Sequence, residues 1–454
     1  MRPKERKTTG QADIFRSRLD QIIDMGHPLV RLAQKIDWGF LETKLGAVYT
    51  DKVGRPPLAT RLMAGLSILK AMHDLSDEAL CDRWVENPYF QFFCGEEFFR
   101  HKLPFDRSSI TRWRQRMGEE KLSLLVQESL AVATRTGAAK PSDFTQVTVD
   151  TTVQPKNVMF PTDARLMHRA RERLVRLAKA KGIKLRQSYE RVGKFALIKH
   201  QRYAHAKQFK RANRALRTLK TQLGRVIRDI RRKIGEDPAL NAAFNTQIAL
   251  AIRVRDQRPR QRGQKVYSLH APEVECIGKG KAHKPYEFGV KVSVATPIHR
   301  CKGGQFVAHV KALPGAPYDG HTLATVLTDL ENQIGVHLTR IVADAGYKGH
   351  NAPEHLKLKV FTSGQKRGLT PAIKRALKRR AAVEPVIGHL KSEHRMGRNY
   401  LAHRSGDAIN AVLAAAGYNF SLLVKWLRLW RAQIMLEILA IIALAPPSQG
   451  AARA

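Results

Sequence analysis

Three short segments, each with one acidic residue, constrain the fold and the chemistry of this chain more than any other feature. Two of them are apolar runs that end in Asp150 and Asp344. An aspartate at the end of a buried parallel strand is delivered to the edge of its sheet, where active sites lie. The third segment has a helical pattern and places Glu384 four residues after Arg380 and seven before Lys391. The sequence therefore predicts that three distant carboxylates meet at one site.

The charge of the chain indicates a polyanionic partner. Among its 454 residues, Lys and Arg number 80 and Asp and Glu number 39, which gives a formal net charge of +41. So large an imbalance destabilises a compact chain by self-repulsion, and a polyanion would neutralise it. Nucleic acid is favoured over an anionic membrane because the most apolar stretch, residues 434–445, contains Glu437 and is too short to cross a bilayer.

The N-terminus and the cysteines predict a reduced, intracellular protein. The first seven residues are mostly charged and lack the apolar core of a signal peptide. No two of the four cysteines form a CxxC pair, which argues against a zinc site and against a disulfide framework. The cysteines are Cys81, Cys94, Cys276 and Cys301.

Metal chemistry on phosphodiesters explains why carboxylates would gather in so basic a chain. In-line displacement requires that the attacking and the leaving oxygen are both stabilised, which two Mg²⁺ ions about 3.5–4 Å apart achieve. We expect Asp150, Asp344 and Glu384 to hold these two ions, for which Mn²⁺ can substitute. Arg380 and Lys391 are expected to bind the flanking DNA phosphates. Taken alone, each acid has a simpler interpretation, as a turn cap or as the partner of a neighbouring cation.

Residues 1–140 are predicted to form an all-α DNA-binding domain. Apolar-periodic segments are followed by a short basic helix that ends at Gly118. This helix resembles the second helix of a helix-turn-helix, so its arginines are assigned to DNA contact. The arginines are Arg112, Arg114 and Arg116. The alternative is a solvated helix face in a basic protein.

Residues 163–262 differ in composition and are predicted to form a basic helical insertion. They contain 29 Lys and Arg residues against 7 Asp and Glu. Apolar residues spaced by three and four predict a coiled-coil-like seam, with residues 165–181 as its antiparallel partner. The seam residues are Phe209, Ala212, Leu216, Leu219, Leu223, Val226 and Ile230. The expected helical hairpin suits contacts with DNA phosphates, and a dimerisation arm is the alternative.

Without this insertion, the chain predicts a ribonuclease-H-like α/β core formed by residues 141–162 and 263–430. The order is strand, insertion, strand, strand, helix, strand, strand, helix, and the second and third strands alternate like antiparallel neighbours. In this topology the first strand lies beside the strand that ends in Asp344. We therefore expect Asp150 and Asp344 to lie side by side, although 194 residues separate them. Residues 431–454 are left as a C-terminal tail.

Four other acids lie near these motifs and compete for the site. They are Asp163, Glu287, Asp319 and Glu393. Asp319 is the most serious rival because its Gly- and Pro-rich loop could bring it to the site together with His321. We interpret this loop as structural or DNA-facing. His389, on the same helix as Glu384, is interpreted as a helix residue whose side chain has a local partner.

Taken together, the motifs resemble those of DDE transposases of bacterial insertion sequences, in the insertion-sequence-five family of the insertion-sequence-four/five superfamily. The resemblance covers most of residues 35–430. The stretches that carry it include Val149-Asp-Thr-Thr-Val-Gln154, Pro317-Tyr-Asp-Gly-His-Thr-Leu323, Ala343-Asp-Ala-Gly-Tyr-Lys-Gly349 and Val383-Glu-Pro-Val-Ile-Gly-His-Leu-Lys391. The third acid of this family lies in a Tyr-x2-Arg-x3-Glu-x6-Lys signature. Arg380, Glu384 and Lys391 fit this spacing, whereas Leu377 stands at the tyrosine position.

The resemblance implies a transposase that binds the terminal inverted repeats of its element, cleaves the ends and joins the 3′-hydroxyls to target DNA. Asp150, Asp344 and Glu384 are implied to hold two Mg²⁺ ions. Double-stranded DNA is the implied partner, and the pairing of two ends requires a homo-oligomer, for which we expect a dimer. The implied location is the bacterial cytoplasm, at the nucleoid, without membrane association. Two alternatives stay open: a nuclease or resolvase with the same core that does not join strands, and a non-catalytic DNA-binding protein.

Overall fold

The computed structural model describes residues 17–49, 57–259, 261, 263, 265–278, 285–356 and 358–444. The chain forms two units, one made of Met1–Gln154 with Lys291–Ala454 and the other of Pro155–Val290. The first unit contains both Asp150 and Asp344, and the second contains the basic helices. The predicted insertion lies inside the second unit, which extends beyond it at both ends.

The described part of the chain before the first strand is helical. Its helices are α1 (Leu19–Ile22), α2 (Pro28–Lys35), α3 (Trp38–Gly46), α4 (Thr60–Met72), α5 (Asp77–Glu86), α6 (Pro88–Phe93) and α7 (Ser108–Arg135). Helix α4 is buried on nearly every side, because its residues are apolar around the whole helix rather than along one stripe. The predicted all-α character of this region is confirmed.

A glycine divides helix α7 into two segments. Gly118 has a φ of 66° and a ψ of −173°, a left-handed conformation that glycine adopts without steric cost. At the start of the helix, the carboxylate of Asp106 accepts a hydrogen bond of 2.8 Å from the backbone N–H of Ser108. The short basic helical segment that the sequence predicts therefore begins after Asp106 and ends at Gly118.

The described strands form one six-stranded mixed sheet. They are β1 (Gln146–Pro155), β2 (Glu275–Gly278), β3 (Tyr286–Pro297), β4 (His309–Leu313), β5 (Arg340–Ala343) and β6 (Lys359–Thr362). The order is β2-β3-β1-β5-β6, and β4 also pairs with β3. Strands β3 and β4 are antiparallel, which confirms the prediction for these neighbours. Most of β3 is buried, including polar residues at alternate positions such as Ser293.

Strands β1 and β5 are parallel neighbours despite their distance in sequence. Their register pairs Val147 with Ile341 and Thr148 with Val342. Two residues further along each strand stand Asp150 and Asp344. The prediction that the first strand lies beside the strand that ends in Asp344 is therefore confirmed.

The second unit contains four helices and not the expected hairpin. They are α8 (Asp163–Ala180), α9 (Glu190–His205), α10 (Phe209–Ile234) and α11 (Pro238–Asp256). Helix α10 contacts the other three. The predicted seam is buried from Leu219 onward, whereas Phe209 is 63% exposed. A two-helix hairpin would leave the remaining apolar surface of α8 and α10 in water, and α9 and α11 cover it.

The last helices surround the sheet and complete the first unit. They are α12 (Leu323–Ile334), α13 (Pro371–Arg379), α14 (Val383–Glu393) and α15 (His403–Leu444). The part His403–Leu429 of α15 is long and apolar enough to cross a membrane, but most of it is buried against α4, α7 and β4. It is therefore the central core helix of this unit. Helix α15 continues through residues 431–444 of the predicted C-terminal tail.

Candidate active site

Asp150 lies in the middle of strand β1, directly after a run of buried residues. The expectation that the strand ends at this aspartate is corrected, because β1 continues to Pro155. Val147 and Val149 are fully buried and fix the strand in the sheet. The carboxylate of Asp150 accepts a hydrogen bond of 2.8 Å from the backbone N–H of Thr151. The apolar run that predicts the strand therefore also determines where this carboxylate lies.

Asp344 directly follows strand β5 and caps a short 3₁₀ turn, Ala345–Tyr347. Its Oδ1 atom accepts a hydrogen bond of 2.9 Å from the backbone N–H of Gly346. The position of Gly346 allows no side chain without a shift of its neighbours. A Cβ atom there would lie 3.0 Å from Oδ1 of Asp344 and 3.2 Å from Oδ2 of Asp319.

The electrostatic environment of Asp150 is unusual for an aspartate. Burial raises its pKa to about 6, and the negative charges of Asp344 and Asp319 add to this rise. The N–H of Thr151 and the guanidinium of Arg380 act in the opposite direction without restoring the usual value. Perturbation by burial and by neighbouring carboxylates is typical of functional sites.

Arg380 lies between two of the three predicted acids. Its Nη1 atom is 3.7 Å from Oδ2 of Asp150, and its Nη2 atom is 3.8 Å from Oε1 of Glu384. The predicted single helix through these residues is corrected. Arg380–Ala382 form a 3₁₀ turn between α13 and α14, because the ring of Pro385 cannot follow a helical carbonyl four residues earlier.

The residue that replaces the family tyrosine has a packing role. Leu377 lies on α13 and packs against the buried cluster of Ile298, Val342 and Ala376. Lys391 lies half-buried on α14, two turns beyond Glu384. The structure thus places Arg380 and Glu384 in contact, and Lys391 further along the same helix as Glu384.

Asp319 lies beside the predicted acids, although its loop was interpreted as structural or DNA-facing. Its Oδ1 atom accepts hydrogen bonds of 2.9 Å from the hydroxyl of Thr151 and of 3.0 Å from Nζ of Lys291. Sequence reasoning named Asp319 as a rival but missed Lys291. The available signal was a lysine within the buried strand β3, where an unpaired cation would be costly.

Tyr347 is a second residue that sequence reasoning missed. It is fully buried, and its hydroxyl lies near Thr322 without a hydrogen bond of normal geometry within the described residues. Burial raises the pKa of its phenol, and the charges of Asp319, Asp150 and Asp344 raise it further. The hydroxyl therefore belongs to the same electrostatic environment as the carboxylates.

The carboxylates suit a hard divalent cation in kind and in charge. Their oxygens are ligands that Mg²⁺ prefers. The raised pKa of Asp150 means that its ionised form is disfavoured in the protein alone, and a bound cation would stabilise that form. In the part of the chain that the structure describes, no three His, Cys, Asp or Glu side chains are grouped as a metal site. Glu384 in particular is linked to Asp150 only through Arg380.

The three arginines of α7 have two different environments. Arg112 and Arg116 are exposed, and Arg116 lies over the ring of Tyr49. Arg114 is buried and donates hydrogen bonds of 3.0 and 2.8 Å to the carboxylate of Asp77. Its expected contact with DNA is therefore corrected to a structural role. The spacing shows why: it lies three residues before buried Met117, on the inward face of the helix.

Two of the remaining acids have local partners. Asp163 starts α8 and accepts a hydrogen bond of 2.8 Å from Gln257. Glu393 lies 2.6 Å from Nδ1 of His389, so this histidine has the local partner that the sequence suggested. Neither acid is placed at the site of Asp150.

Comparison with known proteins gives consistent matches. Residues 17–116 match the family described as Transposase domain (DUF772), and residues 252–420 match the family described as Transposase DDE domain. Asp344 and Glu384 lie within the second region, whereas Asp150 lies between the two regions. No solved structure gives a significant match.

A curated protein from Rhizobium meliloti, described as uncharacterized protein ORF8 in nfe locus, is 53% identical over 209 residues. The matched stretch covers 46% of this chain and 100% of that protein. With the two transposase domains, this relative shows that the chain belongs to the DDE transposases of insertion sequences. Transposases of this class act on DNA, and the family generally uses divalent metal ions.

Proposed function

We propose that this transposase belongs to the insertion-sequence-five family, binds the terminal inverted repeats of its element, cleaves the ends and joins their 3′-hydroxyls to target DNA. The observation that supports it best is the parallel pairing of β1 with β5, which brings Asp150 beside Asp344. Arg380, in contact with Asp150 and Glu384, adds the third acid at the edge of this pair. The sheet order and the acid positions favour a ribonuclease-H-like core.

In the proposed mechanism, Asp150, Asp344 and Glu384 would hold two Mg²⁺ ions, which would supply charge stabilisation to the attacking and the leaving oxygen. Arg380 holds a phosphate of the DNA. Its distances of 3.7 and 3.8 Å to Asp150 and Glu384 exceed those of good charge-assisted hydrogen bonds, so its fork is available for phosphate oxygens. Buried side chains around Asp150 limit the access of bulk water, which strengthens these charge interactions.

The proposed DNA contacts outside the site are made by Arg112 and Arg116 on α7 and by Lys391 on α14. We place the DNA-binding domain in residues 1–140, the core in residues 141–162 and 263–430, and the basic insertion between these two parts of the core. The protein is proposed to act as a homodimer at the nucleoid, because two element ends must be joined together.

A strand-transfer assay with pre-cut ends tests this proposal. The chain, a duplex ending in an inverted repeat with a free 3′-hydroxyl, a target plasmid and Mg²⁺ should give joined product. Hydrolysis without joined product would favour a nuclease with the same core. Binding without either reaction would favour a non-catalytic DNA-binding protein.

A further inference from the structure

Helix α10 has a face of unusual composition. It carries ten Lys and Arg residues and a single acidic residue, Asp229. Its apolar residues Leu219, Leu223 and Ile230 are buried within the helical unit. The cations therefore occupy the remaining, outward surface of the helix.

Six of these cations form a continuous line, which we call the α10 stripe. At about 100° per residue they fall within an arc of about 80°, opposite the buried seam. All six are exposed, and they are Lys210, Arg214, Arg217, Arg225, Arg228 and Arg232. With a rise of about 1.5 Å per residue the stripe extends about 33 Å. This length is close to one turn of B-form DNA, about 34–36 Å.

Most of the stripe is not neutralised by acidic side chains. Within the described residues, Lys210, Arg214, Arg217 and Arg228 have no acidic partner, whereas Arg232 pairs with Asp229. A row of uncompensated guanidinium groups is costly in self-repulsion unless an anion binds to it.

Exposed cations of the neighbouring helix α8 behave differently. Arg169 lies 2.8 Å from Glu172, and Lys179 lies 2.9 Å from Glu190. Helix α10 carries ten Lys and Arg residues against six on α8 and four on α9, so the positive charge of the unit is highest on α10. These paired cations also provide a matched control.

We propose that the α10 stripe binds the phosphate backbone of double-stranded DNA. The choice of DNA rests on the proposed function, and the geometry supplies the surface. A single strand is disfavoured, because no aromatic residue interrupts the stripe to stack on unpaired bases. A line of cations contacts phosphates and positions the duplex without reading its sequence.

The test measures binding of the full-length protein to a 30-base-pair duplex that lacks the inverted repeat, over a range of salt concentrations. The triple variant Arg214→Gln, Arg217→Gln, Arg228→Gln should bind more weakly. Each lost phosphate contact should reduce the slope of log K against log salt by about 0.9, so three contacts reduce it by about 2.7. The corresponding Arg→Lys triple should retain most of the slope, since charge and not fork geometry is required.

The control triple Arg169→Gln, Lys179→Gln, Arg255→Gln removes the same charge from cations that pair with acids. It should change the slope by less than one third as much. Equal effects of both triples, or no effect of the stripe triple, would overturn the proposal. Stronger binding to a single strand than to the duplex would overturn it too. No step of this test requires DNA cleavage. A protein that fails to cleave or join DNA would contradict the proposed function and would still show whether the stripe binds the duplex.

A second inference concerns Asp319 and Lys291, which form a separate, largely buried pair. Their side chains are 24% and 14% exposed, and Lys291 also donates a hydrogen bond of 2.7 Å to the carbonyl of Pro317. Asp319 also accepts a hydrogen bond from the hydroxyl of Thr151, which is the residue next to Asp150. The second oxygen of Asp319 faces Gly346, on the side where Asp344 also lies.

The geometry points to Asp319 and Lys291 as positioning residues for the carboxylates of Asp150 and Asp344. Asp319 fixes Thr151 on β1, and Lys291 on β3 fixes Asp319 and balances its charge. This inference rests on the proposed function for the role of the two carboxylates. Residues that hold ligating carboxylates in place typically affect metal affinity by about 10–100-fold.

Calorimetric titration of Ca²⁺ into the full-length protein provides a readout other than activity. Asp319→Asn should weaken Ca²⁺ binding by about 10–100-fold while DNA binding is kept. Lys291→Met should weaken it similarly, and Lys291→Arg should restore much of the loss. The double variant should lose little more than either single variant, because the two residues act as a unit.

Two results would overturn this assignment. Unchanged Ca²⁺ affinity in Asp319→Asn would show that the pair is only structural. Loss of Ca²⁺ binding as complete as in Asp344→Asn would show that Asp319 is itself a ligand. A wild-type protein that binds Ca²⁺ but does not cleave DNA would contradict the proposed function, and the positioning test would still give its answer.

Discussion

Two aspartates of the same compact unit show opposite balances between burial and charge. Burial raises the pKa of both, but at Asp77 the hydrogen bonds and charges of Arg114 and Lys70 outweigh it and lower the pKa well below its usual range. At Asp150, burial prevails and the pKa rises to about 6, with Asp344 and Asp319 adding to the rise.

The difference separates two uses of a carboxylate. Asp77 joins helices α4, α5 and α7, because its partners lie on α4 and α7. Asp150 has two like charges nearby, and within the described residues its partners are the N–H of Thr151 and a guanidinium 3.7 Å away, that of Arg380. Its charge is therefore less well balanced than that of Asp77. Both residues are partly buried aspartates. They differ in the number of cations close to the carboxylate, and this number determines whether the carboxylate has a structural role or is available to a ligand.

The largest effect is expected on DNA cleavage, for a substitution of Asp150. Asp150→Asn should reduce DNA cleavage by about 10³-fold or more, since a direct metal ligand is lost. The melting temperature should stay the same or rise, because a carboxylate among like charges becomes neutral. Cleavage of a labelled inverted-repeat end and a thermal melt measure the two results. Activity within tenfold of the wild type would contradict the assignment.

The next largest effect is expected on the free energy of unfolding, for a substitution of Asp77. Asp77→Ala leaves two buried cations without their acceptor and should lower the free energy of unfolding by about 3–5 kcal/mol. Urea unfolding measures this change. The matched control is Asp82→Ala, since Asp82 pairs with Arg107 on the surface. It should change stability by less than about 0.5 kcal/mol. A comparable loss of stability in both variants would show that the ion pairs of Asp77 stabilise the protein no more than a surface ion pair does.

A smaller effect is expected at the glycine between the carboxylates. Gly346→Ala introduces a Cβ atom 3.0 Å from Asp344 and should displace its carboxylate, which lowers cleavage by about 10–100-fold. Stability should change little, because φ is not in the left-handed region. Gly388→Ala on α14 is the control, since its Cβ atom would meet nothing within 4 Å. Equal activity of both variants would contradict the proposed crowding.

The smallest effect is on the acid dependence of stability. The pKa of Asp77 is lowered in the folded protein, so its contribution is present above the unfolded value of about 3.9 and is lost as the pH falls below it. The free energy of unfolding of the wild type should therefore decrease between pH 4 and pH 3 more steeply than that of Asp77→Asn. Urea midpoints at both pH values measure the difference, and parallel curves would argue against it.

The sequence predicted the parts of the site that local patterns determine. Apolar runs before Asp150 and Asp344 identified two buried strands, and the order of elements placed them side by side, as the register confirms. The seam of α10 followed from its spacing, and it is buried without interruption from Leu219 onward. The roles of Asp150, Asp344 and Glu384 stay predictions, for which the experiments above provide the tests.

Other parts depend on contacts between distant segments. The inward position of Arg114 followed from its helix face, but its partner Asp77 lies 37 residues earlier. Lys291 and Asp319 meet because β3 pairs with β4, where Lys291 lies opposite Leu313, six residues before Asp319. The bond from Asp319 to Thr151 then depends on β3 lying beside β1. The break before α14 could have been read from Pro385, whereas α9 and α11 cover surfaces whose extent depends on how α8 and α10 pack.

The adjacency of β1 and β5 has a consequence for the newly made protein. At a synthesis rate of about 5–20 residues per second, the 194 residues between Asp150 and Asp344 delay their meeting by about 10–40 s. The helices α8–α11 leave the ribosome within this interval and can fold before β1 pairs with β5. If the proposed roles hold, a chain that ends before Asp344 would carry the basic helices without the second aspartate of the site.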